Sequence, residues 1–201
     1  RVAVPHEACS PIRFVQARHA ETAALMACGH AKLTGQLGVC VATSGPGAIH
    51  LLNGLYDAKM DHVPVLAVVG QSARAVIGSD YQQEVDLPTL FHDVAHEYVH
   101  VAMAPTQLRH LVDRAVRTAL AERTVTTIIL PKDVQELPYE EPPAERSTTR
   151  AGLRFSRPVI VPTDADLDAA AAILRAGERV AILIGAGCRG AEHEVRAVAD
   201  V

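Results

Sequence analysis

Short, mostly apolar runs alternate along the first two thirds of the chain with longer segments whose apolar residues recur at helical spacing. The runs have the length of strands and are rich in Val, Ile and Leu, which favours buried β-strands. We expect strands at Arg13–Ala17, Val39–Thr43, Val63–Gly70, Tyr98–Val101 and Val125–Leu130, and helices at Ala20–Leu33, Ala48–Lys59, Leu87–Ala95 and Pro105–Glu122. This alternation predicts an α/β fold with a parallel sheet flanked by helices.

The pattern changes after residue 138. Residues 139–162 are rich in Pro, Glu, Arg and Thr and lack periodicity, which predicts a linker between a first domain, 1–138, and a second unit, 163–201. In that second unit we expect a helix capped by Thr163 or Asp164, a strand at Arg179–Ile184 and a glycine turn into a last helix. One such helix–strand–helix unit cannot bury a core alone. It predicts a truncated Rossmann-like α/β unit, the start of a longer domain, in a chain that is a piece of a longer protein.

Charge and hydropathy exclude two classes of partner. The 201 residues carry a formal net charge of −4 and contain no cluster of Lys and Arg, which argues against nucleic-acid binding. The longest apolar runs are strand-length and far shorter than a membrane span, so no membrane segment is predicted.

The cysteines and histidines do not indicate a metal site. Cys9, Cys28, Cys40 and Cys188 are widely spaced and form neither a CxxC nor a Cys/His ligand pattern, and none of the ten histidines lies in an HExxH arrangement. We therefore expect reduced thiols in a cytoplasmic protein. Cys28 on a helix and Cys40 in a central strand should be unbridged.

The stretch Val39–Ala58, VCVATSGPGAIHLLNGLYDA, holds the most informative motif. A buried strand runs into Gly45-Pro46-Gly47 and then opens a helix, at the kind of strand–helix junction where ligands bind in open α/β sheets. Gly45 and Gly47 permit close approach of the backbone to a flat ligand, and Pro46 stiffens the turn. As a bare pattern, without its context, the turn favours a purely structural role.

Taken with its context, the motif resembles a known family. RFVQARHAE, GHAKLTG, the SGPGAIH stretch and YQQEVD together resemble the pyruvate oxidase and acetolactate synthase branch of thiamine-diphosphate-dependent enzymes, from Phe14 to about Pro138. The resemblance implies that residues 1–138 form the pyrimidine-binding domain. It also implies a 2-keto acid substrate, a homodimer or homotetramer, and a Mg²⁺–diphosphate site in a C-terminal domain outside this chain. The Gly185–Gly190 turn resembles one that lies along FAD in the oxidase branch, although a structural turn is favoured here.

The resemblance also assigns roles to individual residues. Gly45, Pro46, Gly47 and His50 match positions at the cofactor's aminopyrimidine ring, and Gln83 matches a glutamine that reaches toward the substrate. A glutamate at the start of the first helix bonds a pyrimidine nitrogen in this family and promotes removal of the thiazolium proton.

Position 20 departs from the family pattern. The sequence reads Arg18-His19-Ala20-Glu21, and counting without gaps places Ala20 at the catalytic glutamate. Glu21 is rotated by about 100° from it on a helix. Two hypotheses follow. In the first, the chain belongs to an enzyme that decarboxylates a pyruvate-like 2-keto acid, with Glu21 as the acid. The product is then oxidised, by an oxidoreductase, or joined to a second carbonyl compound (carboligation), by a transferase. Alternatively, the chain is a non-catalytic homologue that serves binding or subunit assembly.

Overall fold

A computed structural model of the chain describes residues 12–140, 155–156 and 158–200. Residues 1–11, with Cys9, and most of the expected linker lie outside the described residues. The chain divides into two compact units, Arg1–Arg157 and Pro158–Val201, and each is described by itself.

The first unit is built on a four-stranded parallel sheet. Its strands are β1 (Gly38–Ala42), β2 (Val65–Gln71), β3 (Val99–Val101) and β4 (Val125–Pro131). Their order is β1-β2-β4-β3, and each neighbouring pair is parallel. The predicted α/β fold with a parallel sheet flanked by helices is therefore confirmed.

Helices cover both faces of this sheet. They are α1 (Ala20–Thr34), α2 (Pro46–Met60), α3 (Leu87–His92), α4 (Leu108–Glu122) and the short α5 (Lys132–Glu136). The larger core cluster joins α1, α2 and α3 to one face of the sheet, through side chains such as Leu51, Phe91 and Ile129. The smaller cluster joins α4 to the other face through Leu111 and Ile128. The predicted α1 terminus is confirmed, since Gly35 adopts a left-handed φ of 69° and donates its N–H to the Ala31 carbonyl at 2.9 Å.

Two expected strands are absent from the described residues. Residues 13–17 have no strand hydrogen bonds and most of their side chains are exposed, and residues 179–184 likewise form no strand. Both expectations were wrong for the same physical reason. An apolar run becomes a strand only when a neighbouring strand satisfies its backbone groups, and neither run has such a neighbour among the described residues.

The second unit contains two helices, α6 (Asp164–Ala176) and α7 (Glu192–Ala199), and a 3-10 turn at Ala186–Cys188. Thr163, rather than Asp164, is the N-cap of α6. Its hydroxyl accepts the N–H of Asp166 at 3.2 Å, and the Asp166 carboxylate accepts the N–H of Thr163 at 3.2 Å, which forms a capping box. None of the described residues of this unit is buried, in agreement with the expectation that it cannot form a core alone.

The cysteines that the structure describes, Cys28, Cys40 and Cys188, all carry free thiols, as expected for Cys28 and Cys40. Burial raises the pKa of Cys40 to about 12, and burial together with a hydrogen bond to Asp57 raises the pKa of Cys28 to about 11. Both are therefore core thiols with little thiolate character. Within the described ranges, no helix is both long enough and apolar enough to cross a membrane.

Candidate functional site

The candidate site lies at the carboxyl edge of the parallel sheet. Because all four strands run in the same direction, the loops that follow them emerge at this one edge. The loop after β1 carries the Gly45-Pro46-Gly47 turn, and the loop after β2 carries Gln83. The topology therefore brings together two motifs that are far apart in the sequence.

The Gly45-Pro46-Gly47 turn is the start of α2. Gly45 is the N-cap, with a left-handed φ of 61°, and Pro46 occupies the first helical turn, where its missing N–H costs nothing. The Gly45 carbonyl accepts the N–H of Ile49 at 3.1 Å. Gly45 is buried, whereas Pro46 and His50 are exposed. Pro46 and His50 are thus available to a ligand at this edge.

The backbone of Gln83 packs directly against Gly45. A Cβ placed on Gly45 would lie 2.7 Å from the Gln83 carbonyl oxygen and 2.8 Å from the Gln83 Cβ, so a side chain at position 45 is excluded. A Cβ on Gly47 would similarly lie 2.8 Å from Cγ2 of Thr43. The space beside both glycines is therefore filled by protein atoms, and the glycines serve close packing within the chain.

Arg74 and Asp133 form an ion pair, and Arg74 also bonds a third loop, so that the segments following three strands are connected. Asp133, after β4, accepts the backbone N–H of Arg74 at 3.0 Å and the Arg74 Nε–H at 2.7 Å. The guanidinium also donates to the carbonyl of Met103, after β3. These hydrogen bonds hold the pKa of the Asp133 carboxyl below its usual value. The start of the Gln83 loop is consequently fixed to the rest of the edge.

Glu21 lies against α2. Its Oε1 accepts a hydrogen bond from Nδ2 of Asn53 at 2.7 Å, and its Oε2 is 3.8 Å from Nδ1 of His19. The His19 ring in turn packs on the His50 ring, with centroids 4.5 Å apart. Ala20, the first residue of α1, is half-buried and packs against the main core cluster. Glu21 and Ala20 therefore point to different surroundings.

Sequence reasoning missed His19 and Asn53, which both lie next to the Glu21 carboxylate. Asn53 lies three residues after His50 on α2, so a helical reading places both on one face of that helix. His19 is the N-cap of α1, and the ring that it packs against, His50, belongs to α2. The roles assigned to Ala20, Glu21, Gly45, Pro46, Gly47, His50 and Gln83 stay predictions.

Comparison with known proteins finds similarity to one enzyme family along most of this chain. Residues 4–90 match the family model of the thiamine pyrophosphate enzyme N-terminal TPP binding domain. The pyruvate oxidase of Lactiplantibacillus plantarum is 38% identical over 92% of this chain and 30% of its own length. The acetolactate synthase large subunit of Corynebacterium glutamicum is 31% identical over 98% of this chain and 31% of its own length. Over residues 4–90 and beyond, the chain is therefore similar to thiamine pyrophosphate enzymes.

The chain spans less than half the length of these relatives. An uncharacterized 42.6 kDa protein of Pseudomonas amyloderamosa is 37% identical over 94% of this chain, and the match covers 46% of that protein.

Some residues at the carboxyl edge of the sheet fit the cofactor of a thiamine pyrophosphate enzyme, and others do not. Exposed Pro46 and His50 offer an apolar surface and a ring to a flat aminopyrimidine. The methyl group of Ala20 cannot hydrogen-bond a ring nitrogen, and one oxygen of the Glu21 carboxylate is already bonded to Asn53. Among the described residues, no group of three His, Cys, Asp or Glu side chains lies close enough to bind a metal ion.

Proposed function

We propose that this chain supplies the aminopyrimidine-binding part of a thiamine-diphosphate-dependent enzyme that acts on 2-keto acids. In the proposed reaction a pyruvate-like substrate is decarboxylated and the product is then oxidised or joined to a second carbonyl compound. The observation that carries the proposal is the packing of the Gln83 backbone on Gly45, beside exposed Pro46 and His50, at the carboxyl edge of the sheet. The match to the TPP binding domain model and the similarity to a pyruvate oxidase and an acetolactate synthase support it.

The side chains at this edge have distinct tasks in the proposed site. Pro46 and His50 contact the ring and fix its plane, and the Gln83 amide, which can both donate and accept hydrogen bonds, orients the substrate. Glu21 is the carboxylate available to hold a proton at a ring nitrogen, provided that it leaves Asn53. Bound thiamine diphosphate supplies the electron sink for decarboxylation.

The proposal extends to the whole protein. We propose that Mg²⁺ and the diphosphate bind outside this chain, and that the protein is a cytoplasmic homodimer or homotetramer. The free thiols of Cys28 and Cys40 support a reducing compartment. FAD binding at Gly185–Gly190 is a further proposal for the full-length protein. It rests on a glycine turn, which alone does not define a nucleotide site.

Calorimetric titration tests the binding part of the proposal. The full-length protein, titrated with thiamine diphosphate and Mg²⁺, should bind the cofactor with a micromolar or lower Kd, equivalent to about 8 kcal/mol or more. The 201-residue chain should bind it weakly or not at all, because the diphosphate contacts lie elsewhere. Absence of binding to the full-length protein would contradict the proposal, and tight binding to the chain alone would show that the diphosphate site has been misplaced.

A second candidate function, a non-catalytic homologue, is favoured by the surroundings of residues 20 and 21. Ala20 packs on the core, and the Glu21 carboxylate accepts a hydrogen bond from Asn53 and lies 3.8 Å from His19. In that case the cofactor would bind, but exchange of the thiazolium proton would be slow. An acid–base group at position 20 would then be missing rather than displaced.

Proton exchange at the thiazolium carbon, measured by NMR in the full-length protein, separates the two functions. For the non-catalytic homologue, Ala20→Glu should accelerate exchange by roughly 10²–10⁴-fold, and Glu21→Gln should change nothing. For the enzyme, exchange should be fast and should collapse in Glu21→Gln. Glu122→Gln, which removes an exposed carboxylate at the end of α4, is the charge-matched control and should leave exchange unchanged.

A further inference from the structure

The backbone around Gln83 is held in an unfavourable conformation. Between Gly78 and Glu84, three residues have left-handed φ angles: Gly78 at 92°, Asp80 at 56° and Gln83 at 64°. Glycine adopts this region freely, but a residue with a Cβ is disfavoured there. The conformations of Asp80 and Gln83 must therefore be stabilised by other contacts in the loop.

The carboxylate of Glu84 provides such contacts. Its Oε1 accepts the N–H of Gly78 at 2.5 Å, and its Oε2 accepts the N–H of Tyr81 at 3.0 Å. The N–H of Glu84 itself donates to the Tyr81 carbonyl at 2.8 Å. The two backbone hydrogen bonds hold the pKa of this carboxyl below its usual value, so the charged acceptor persists at neutral pH. Together these bonds close residues 78–84 into a ring.

The ends of the same loop are fixed to the sheet. Nε2 of Gln71, the last residue of β2, donates to the Val85 carbonyl at 2.9 Å, and the Arg74–Asp133 pair holds the start of the loop. Asp86 caps α3 by accepting the N–H of Thr89 at 3.2 Å. Gln83 thus belongs to a closed ring whose two flanks are anchored by hydrogen bonds.

We propose that Glu84 is a positioning residue, which holds Gln83 in its left-handed conformation against Gly45 and so presents the Gln83 side chain at the edge beside Pro46. The inference rests on the proposed function, in which Gln83 orients the substrate. Glu84 acts through Gln83, because its own carboxylate is engaged by the backbone of Gly78 and Tyr81.

Hydrogen exchange on the full-length protein, resolved to single amides by mass spectrometry, tests the contacts without requiring activity. In Glu84→Ala the amides of Gly78 and Tyr81 should exchange about tenfold faster or more, as expected for loss of a hydrogen bond to a charged group. The carbon chemical shifts of isotopically labelled Gln83 should move away from left-handed values. Glu84→Gln, which keeps an acceptor, should show a smaller change, and Glu122→Gln should show none.

A double-mutant cycle tests whether Glu84 acts through Gln83. With thiamine diphosphate, Mg²⁺ and pyruvate as the probe substrate, Glu84→Ala and Gln83→Ala should each lower kcat/KM by roughly 10- to 100-fold, as expected for a misplaced orienting group. The double variant should be no worse than Gln83→Ala, because coupled residues are not additive. The Kd of thiamine diphosphate should stay at its wild-type value in all three variants.

The outcomes distinguish this inference from the proposed function. Unchanged exchange and unchanged Gln83 shifts in Glu84→Ala would overturn the positioning role, as would losses that multiply in the double variant. If the unaltered full-length protein neither binds thiamine diphosphate nor converts pyruvate, the proposed function fails. The exchange rates and the Gln83 shifts then decide alone whether Glu84 holds Gln83 in place.

Discussion

Thr127 lies in the middle of β4 with its hydroxyl fully buried. Among the described residues, Thr127 Oγ1 is a buried side-chain atom with no hydrogen-bond partner. Its neighbour Thr126, also fully buried, points to the other face of the sheet and donates to the Ala115 carbonyl of α4 at 3.2 Å. Two adjacent threonines thus have the same burial and opposite hydrogen-bond status, which makes them a matched pair.

We expect Thr127→Val to stabilise the protein by about 1 kcal/mol, because valine replaces an unsatisfied hydroxyl with a methyl group of similar size. Thr126→Val should instead destabilise it by about 1 kcal/mol through loss of a satisfied hydrogen bond. Equilibrium unfolding in urea measures both changes. Destabilisation by Thr127→Val of the same size as that by Thr126→Val would indicate that Thr127 has a partner after all.

At the residue scale, sequence reasoning identifies residues better than it identifies their contacts. The assignment of His50, Gln83 and the glycine turn to one site depended on resemblance, and parallel topology explains why they share an edge. The contact between the His19 and His50 rings and the bond from Asn53 to Glu21 depend on how α1 packs on α2. Helical periodicity within one element does not determine such contacts.

The packing of α1 on α2 depends on a small residue in α2. A Cβ on Gly54 would lie 2.6 Å from the backbone nitrogen of Leu25 and 2.7 Å from the Cβ of Ala24. Gly29, in the middle of α1, faces open space, with nothing within 4 Å of a Cβ placed there. At the far end of this helix pair, the Lys32 ammonium binds Asp57 and Asp61 at 2.8 and 2.6 Å. The two helices are therefore in close contact at Gly54 and paired by charge beyond it.

Substitution of the two helical glycines by alanine should have opposite effects. Gly54→Ala should destabilise the protein by about 1–3 kcal/mol, because the new methyl group overlaps backbone that cannot move independently. Gly29→Ala should stabilise it by about 0.5–1 kcal/mol, because alanine is the better helix former and meets nothing. Thermal unfolding of the two variants provides the measurement. An increase in Tm for Gly54→Ala would show that α1 and α2 can separate at little cost.

At the scale of elements, the strands that have partners could be predicted and those without partners could not. Val65–Gln71 pairs with both β1 and β4, and its apolar run predicts it directly. Residues 13–17 and 179–184 have similar patterns, but a sequence window does not indicate whether a neighbouring strand is present. The strand order was also beyond prediction, since it depends on which crossovers the helices make.

At the scale of the whole molecule, helices α1 and α2 expose large apolar side chains on the surface of the first unit. We define the α1–α2 face by Leu25, Met26 and Leu33 on α1 and Ile49 and Met60 on α2, which are between 44% and 82% exposed. Large exposed apolar patches mark interaction surfaces more often than chance. A symmetric dimer is the commonest way to cover such a face in a homo-oligomer, and it is the assembly proposed above.

Sedimentation velocity of the full-length protein tests this assembly. The wild-type protein should sediment as a dimer or larger species at tens of micromolar. The double substitution Leu25→Glu and Met26→Glu should shift it to the monomer, because burying two unpaired carboxylates in an interface is unfavourable. Val112→Glu places a carboxylate on α4 at a residue of similar exposure, 41%, and should leave the sedimentation coefficient unchanged. A monomeric wild-type protein, or equal dissociation by Val112→Glu, would show that the α1–α2 face is not the interface.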